Sequence, residues 1–291
     1  MTDRRYLQLD VFADRPGAGN PLGVVVDADG LSPATMQAIA AWTNLSETVF
    51  LLPASVKGAD YQVRIFTPRQ ELPFAGHPSV GAAWAVVDGQ LARPRNGTLV
   101  QECKAGLLPV RLDGDGRIHV RAPRARQVPT DDGTLLDAAT AGLVRGTLPP
   151  ALWNNGPGWW LVELRDAAAV RAAIPDLPAI AALTHATGAV GLAVFAKARD
   201  ADHDLAVRAF CPADNIPEDP VTGSANACIA AALHAADAWP RADGAGTSRL
   251  YVASQGRELG RDGRIEVAVD GDGEVWIGGL VQPVIRGELR W

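Results

Sequence analysis

Cysteine is scarce in this chain. Cys103, Cys211 and Cys228 are the only three in 291 residues, and none stands in a C-x-x-C pair or at Cys/His ligand spacing. Neither a disulfide framework nor a zinc site is expected, and Cys211 and Cys228 read as small buried hydrophobes. Basic runs are missing too. The densest stretch, Arg117 to Arg126, holds four Arg but is broken by apolar residues and Pro, as an exposed strand leading into a linker would be. With a formal net charge of −6, nucleic acid is not an expected partner. No apolar run approaches the length of a membrane span, and the N-terminus, with Asp3 and Asp10, lacks a signal-peptide core. A protein that stays off membranes in a reducing, cytoplasmic compartment is the expectation. The balance of 47% hydrophobic and 21% charged residues describes a soluble globular protein, long enough for two domains.

The chain contains an internal repeat. Asp60–Pro68 reads D-Y-Q-V-R-I-F-T-P and Asp204–Pro212 reads D-L-A-V-R-A-F-C-P, with five identities in nine positions at an offset of 144. A second shared phrase follows each copy: His77-Pro78-Ser79-Val80-Gly81-Ala82-Ala83 and Asp219-Pro220-Val221-Thr222-Gly223-Ser224-Ala225, both x-P-x-x-G-x-A, at an offset of 142. The protein is read as two copies of one supersecondary unit, with its chemistry where the copies differ.

Strands are expected at Tyr6–Phe12, Leu22–Val26, Thr48–Leu52, Tyr61–Phe66, Thr98–Cys103, Leu107–Leu112 and Arg117–Arg121. Ser32-Pro33 marks a helix start, with Met36, Ile39 and Ala40 as its apolar stripe and Thr43-Asn44 as its end. A small-residue helix from about Pro78 to Val87 has no polar face, so it is expected to be central and wrapped by sheet. The second half repeats this order: helices near Leu135–Arg145 and Ile180–Thr187, strands at Trp159–Leu164, Val190–Ala196 and Leu205–Phe210, and a small-residue helix over Ser224–Ala236. Strands near Leu250–Ala253, Arg264–Val269, Glu274–Gly278 and Val281–Leu289 follow. The polar run Pro123–Gly133 is the candidate boundary. It sets a first domain over 1–126, to which a strand in 279–291 returns, and a second over 127–278. The class is α+β, without the βαβαβ rhythm of a nucleotide-binding fold.

The paired helix starts carry the first chemistry. Pro near a first helical turn costs no hydrogen bond, and Gly81 and Gly223 allow close approach of a backbone or a ligand. Free amides and the helix dipole attract anions, so two such starts facing each other would clamp a small carboxylate. The plainer alternative is that each Gly only permits helix–sheet contact. Glu47, at the mouth of an apolar strand, is either a solvated cap or salt-bridge partner, or the acid that breaks the internal symmetry, because Ala186–Val190 in the second half holds none. His77 is either a helix cap or a partner of Glu47, and Asp219 and Ser224 come from the other half. Such neighbours can move a carboxyl pKa towards working pH, as general acid–base catalysis requires. Asn154-Asn155-Gly156-Pro157-Gly158-Trp159-Trp160 reads equally as a ligand-facing aromatic wall or as a tight turn before two core Trp.

These motifs resemble the PhzF-like family of phenazine-biosynthesis isomerases. The matching segments are Gly19-Asn20-Pro21-Leu22, Asn44-Leu45-Ser46-Glu47-Thr48, Glu71–Pro78 (E-L-P-F-A-G-H-P), Val207-Arg208-Ala209-Phe210, Pro217–Ala225 (P-E-D-P-V-T-G-S-A) and Gln255-Gly256. The resemblance spans essentially the whole chain. It implies the fold of diaminopimelate epimerase: two pseudo-symmetric domains, each a curled, mostly antiparallel sheet around a central helix, with the active site between them. It further implies Glu47 as proton-shuttling acid/base, with His77, Asp219 and Ser224 around the substrate. Substrate binding would fall to Asn20, Ser46, Gly76, Thr222 and Gly223, the carboxylate being held by amides near Gly76 and Gly223. No cofactor and no metal are implied, and the assembly implied is a homodimer. Epimerases of that fold use a Cys from each half. Here those places read Ala75-Gly76-His77-Pro78 and Thr222-Gly223-Ser224-Ala225, a pairing a few residues out from x-P-x-x-G-x-A. The expected activity is isomerisation of a small carboxylic acid by moving a proton between carbons. The alternatives are epimerisation or racemisation on the same scaffold, or ligand or partner binding without turnover.

Overall fold

The computed structural model describes residues 2–198, 202–240 and 249–291. The chain divides into two compact units, Met1–Arg121 with Gly278–Trp291, and Ala122–Ile277.

The first unit runs β1 (Asp3–Val11), β2 (Asn20–Val25), α1 (Pro33–Thr43), β3 (Glu47–Leu52), β4 (Tyr61–Phe66), β5 (Glu71–Leu72), α2 (Gly76–Asp88), β6 (Thr98–Cys103), β7 (Gly106–Leu112) and β8 (Ile118–Arg121). Most neighbours are antiparallel; the parallel pairs are β2–β3, bridged by α1, and β4–β6, bridged by α2. Ser32 Oγ accepts the Thr35 amide to start α1, and Asn44, left-handed at φ 52°, ends it. Helix α2 buries Gly76 through Ala83 without a break and packs on β1, β2, β3, β4, β6 and β8. With mostly small side chains on that stretch, the sheet can curl closely round it.

The second unit runs β9 (Arg126–Val128), α3 (Gly133–Ala139), β10 (Ala151–Asn154), β11 (Gly158–Glu163), α4 (Ala167–Ala172), α5 (Leu177–Thr187), β12 (Gly191–Lys197), β13 (Leu205–Cys211), β14 (Ile216–Asp219), α6 (Gly223–Ala235), β15 (Arg249–Gln255), β16 (Gly263–Val269) and β17 (Val275–Gly279). Its parallel pairs are β11–β12 and β13–β15, and α6 takes the central place of α2. The last strand, β18 (Val281–Arg290), pairs antiparallel with β1. The helix expected over Leu135–Arg145 stops at Ala139, and Gly142 at φ +79° turns the chain away. Helix α4, capped by Asp166, has no sequence expectation to match.

The repeated letters build scaffold. Asp60 accepts the Val100 amide on its carboxylate at 2.7 Å and gives its own amide to the Val100 carbonyl at 2.9 Å. Asp204 does the same with Val252, at 2.9 and 2.7 Å. Arg64 forks onto Glu71 at 2.7 and 2.8 Å, and Arg208 onto Glu218 at 2.9 and 2.8 Å. Each guanidinium also lies over the Phe two residues on, Phe66 or Phe210.

That correspondence corrects the register of the second repeated phrase. Ile65 faces Leu72 across β4–β5, and Ala209 faces Asp219 across β13–β14. Both central helices then start after an extended N-cap, Ala75 or Thr222. Glu71 therefore matches Glu218, Leu72 matches Asp219, and His77 matches Ser224. The x-P-x-x-G-x-A pairing of His77 with Asp219 is out of register, because the short helical turn Pro212–Asp214 lengthens the second unit's turn.

Candidate active site

In the first unit, α1 ends at the left-handed Asn44 and the chain enters β3 directly, placing Ser46 and Glu47 at the strand mouth. Glu47 is mostly buried, 17% exposed at its side chain, and its Oε2 lies 3.5 Å from Nε2 of His77. His77 is the second residue of α2 and is buried. Burial pushes its pKa down to about 3, against a smaller opposing effect from a hydrogen bond to the Pro21 backbone. The imidazole is therefore neutral through the ordinary pH range rather than a fixed cation. Ser46 Oγ donates to Asn20 Oδ1 at 3.2 Å, joining the two polar residues that precede and open β3 and β2. Helix α2 has no side-chain cap, and Pro78 has no N–H, so the Gly76 and His77 amides are the open donors of its first turn.

In the second unit, Asp219 ends β14 and its Oδ2 accepts the Thr222 hydroxyl at 2.6 Å. Gln255 braces this turn with all its polar capacity. Its Nε2 donates to the Asp219 carbonyl at 3.0 Å and to Thr222 Oγ1 at 2.9 Å, and its Oε1 accepts the Thr222 amide at 3.0 Å and Asn226 Nδ2 at 2.9 Å. Helix α6, like α2, lacks a side-chain cap. Ser224, its second residue, accepts the Trp159 indole N–H on Oγ at 3.0 Å, and its carbonyl accepts Asn155 Nδ2 at 3.1 Å.

The structure thus joins Glu47 to His77, Ser46 to Asn20, and Asp219 to Thr222 within their units. Gly76 and Gly223 open the two central helices. Gly81 takes the plainer of its two readings: a Cβ there would come 2.3 Å from Leu22 Cδ2, so it serves helix–sheet contact. The aromatic wall is likewise replaced by core packing, since Trp159 and Trp160 are each 2% exposed. Cys211 and Cys228 are buried, and burial pushes the Cys228 thiol up. Among the described residues no three His, Cys, Asp or Glu side chains gather as a metal would need, and no helix is long and apolar enough to cross a membrane. Sequence reasoning singled out the Asn154–Trp160 phrase but not the contacts of Asn155 and Trp159 with Ser224, nor the bracing role of Gln255, which stood out only as part of a motif.

The matched registers show what replaces Glu47 in the second unit. Glu47 sits beside Leu22 in β2–β3, and Gly191 beside Trp159 in β11–β12. A Cβ on Gly191 would lie 2.5 Å from Trp159 Cζ3 and 2.5 Å from the Phe210 carbonyl oxygen. Where the first unit holds a carboxylate against His77, the second holds an indole against Ser224.

Solved structures place this architecture. A probable proline racemase from Agrobacterium radiobacter superposes with a TM-score of 0.66 at 14% identity, over 99% of this chain and 93% of that one, so the fold is that of the diaminopimelate epimerase-like proteins. A Bacillus anthracis phenazine biosynthesis protein of the PhzF family superposes with a TM-score of 0.86 at 26% identity, over 100% of both chains. The family model described as phenazine biosynthesis-like protein matches residues 9–286. The trans-2,3-dihydro-3-hydroxyanthranilate isomerase of Pseudomonas aeruginosa is 36% identical, over 93% of this chain and 92% of its own. Antisense-enhancing sequence 1 of Schizosaccharomyces pombe is 33% identical over 99% of both. The chain belongs to the PhzF-like, phenazine biosynthesis-like family, and it is an enzyme of the isomerase type.

Proposed function

We propose that this protein isomerises a small unsaturated carboxylic acid, with Glu47 as the proton carrier and no cofactor in the step. The Glu47 carboxylate takes a proton from one carbon. The electron pair left behind spreads through the adjacent double bond towards the carboxyl or enol end. The resulting carboxylic acid then returns the proton to a different carbon, so no atom or electron is gained or lost. The observation that carries this reading is the asymmetry of the two units: a carboxylate against a neutral His in one, no side chain at the matching Gly191 in the other. Open amides at the starts of α2 and α6 suit the substrate's carboxylate. Asn20, Ser46 and Thr222 complete its binding, and Asp219 and Ser224 serve the same turnover. A cytoplasmic homodimer belongs to this reading, and light scattering on the purified protein checks the assembly.

Epimerisation by two opposed thiols does not fit, because Ala75-Gly76-His77-Pro78 and Thr222-Gly223-Ser224-Ala225 contain no Cys. The name of the Pseudomonas aeruginosa relative supplies the first substrate to try, trans-2,3-dihydro-3-hydroxyanthranilate. The deciding experiment is NMR in D₂O with that acid and a panel of unsaturated and amino carboxylic acids, wild type beside Glu47→Gln. Double-bond migration with deuterium uptake that disappears in the variant supports the reading. Label entering a single stereocentre with loss of optical purity turns it to epimerisation. Saturable binding of a panel acid without exchange turns it to a binding role.

A further inference from the structure

Ser224 differs from the other residues of the proposed site in how its hydroxyl is held. An indole N–H can donate a hydrogen bond but never accept one. The bond from Trp159 Nε1 to Ser224 Oγ, at 3.0 Å, therefore occupies a lone pair of the hydroxyl and leaves its proton pointing elsewhere. Asn155, the other side chain bonded to Ser224, gives its Nδ2 to the Ser224 carbonyl at 3.1 Å and takes no proton either. The residue is half-buried at the second position of α6, on a first turn that no side chain caps. With Trp159 2% exposed and its N–H held on one lone pair of Ser224 Oγ, the hydroxyl proton is the group turned away from the indole and offered to a ligand.

Resting on the reading above, in which Ser224 meets the substrate, we infer that Trp159 is a positioning residue that occupies one lone pair of Ser224 Oγ and turns its O–H, as a hydrogen-bond donor, towards an anionic oxygen of the substrate. The indole's seat is built for this. It depends on Gly191, where a Cβ would press on the Trp159 ring and on the Phe210 carbonyl oxygen. The first unit uses the matching strand position for Glu47, against the residue that matches Ser224, His77. One position of the duplicated fold thus sets up proton exchange in one unit and fixes a donor in the other. A donor aimed at an oxygen gains most when that oxygen acquires charge, as it does when a proton leaves the neighbouring carbon.

The test is a double-mutant cycle of Trp159→Phe and Ser224→Ala on the full chain. Turnover is read as deuterium uptake into trans-2,3-dihydro-3-hydroxyanthranilate, with thermal unfolding followed alongside. Because Trp159 acts through Ser224, Trp159→Phe is expected to slow turnover about tenfold, Ser224→Ala by at least as much, and the pair no more than Ser224→Ala alone. A second readout needs no ligand. In a ¹H–¹⁵N spectrum, Ser224→Ala should move one of the eight indole N–H signals, the one that Trp159→Phe removes. The inference falls if no indole signal moves. It falls equally if Trp159→Phe slows the Ser224→Ala background by the same factor as the wild type, or leaves turnover intact where Ser224→Ala lowers it. Unchanged turnover in Ser224→Ala removes Ser224 from the site, and the inference with it, while leaving the Glu47 reading to its own variant.

Discussion

Glu47 and Gly191 hold one position in two copies of the same motif, each opening the strand that follows a helix closed by a left-handed residue, Asn44 or Gly188. One copy keeps a carboxylate there; the other has no room for any side chain.

Glu47→Gln keeps the size of the side chain and most of its packing but cannot shuttle a proton. Turnover should fall by about 10² to 10⁴, the usual contribution of a positioned acid/base. The unfolding midpoint should stay near that of the wild type, since the amide keeps the shape of the carboxyl group against His77. Deuterium uptake and a thermal melt on the same sample check both halves of this expectation.

The glycines separate fold from site. Gly191→Ala drives a methyl to 2.5 Å from a backbone carbonyl oxygen, which cannot yield without moving β13, whereas the matching methyl in Gly81→Ala meets the flexible end of Leu22. Gly191→Ala should cost about 1–3 kcal/mol, as overpacking does, and Gly81→Ala less. Urea unfolding of the two variants gives the comparison, and equal losses would contradict it.

His77 should leave a mark on acid stability. Its folded pKa is about 3 against an ordinary 6.5, because burial disfavours the charged ring. Between those values the unfolded chain binds a proton that the folded chain does not. This contribution is complete above pH 6.5 and is lost as the pH falls, at about 1.4 kcal/mol per unit. His77→Asn should therefore show a shallower fall in stability between pH 6 and pH 4 than the wild type in pH-dependent urea titrations. Parallel curves would mean that the ring is not buried neutral.

Much of this was legible in the sequence, for physical reasons that can be named. The strands Tyr61–Phe66 and Thr98–Cys103 and the start and end of α1 follow from alternation, a Ser-Pro cap and a left-handed Asn, all local signals. The two central helices were visible as runs of small residues. The register between the units was not, because the longer turn around Pro212–Asp214 shifts it and a chance x-P-x-x-G-x-A match hides the shift. Nor was the place of Trp159 beneath Ser224. That contact joins residues far apart in sequence and depends on the missing Cβ of Gly191, which composition and periodicity do not encode.

The twin Arg–Glu forks predict an asymmetric response to breaking them. Arg208 and Glu218 are 8% and 9% exposed at their side chains, while Arg64 and Glu71 are 23% and 12% exposed, with Lys104 as a second partner for Glu71. Replacing Arg208 by Met strands a buried carboxylate, which typically costs about 3–5 kcal/mol. Arg64→Met should cost clearly less, since Lys104 still neutralises Glu71 and water reaches the pair. Glu218 directly precedes Asp219 on β14, so Arg208→Met should also disturb the turn that Thr222 and Gln255 brace. The double variant Arg208→Met/Glu218→Leu removes the stranded Glu218 charge and should recover part of the lost stability, with the Ala173 carbonyl still missing its Arg208 donor, measured by urea unfolding. If the proposed role of Asp219 holds, turnover should recover less than stability does, because restored packing does not restore the fork that holds the register of β14.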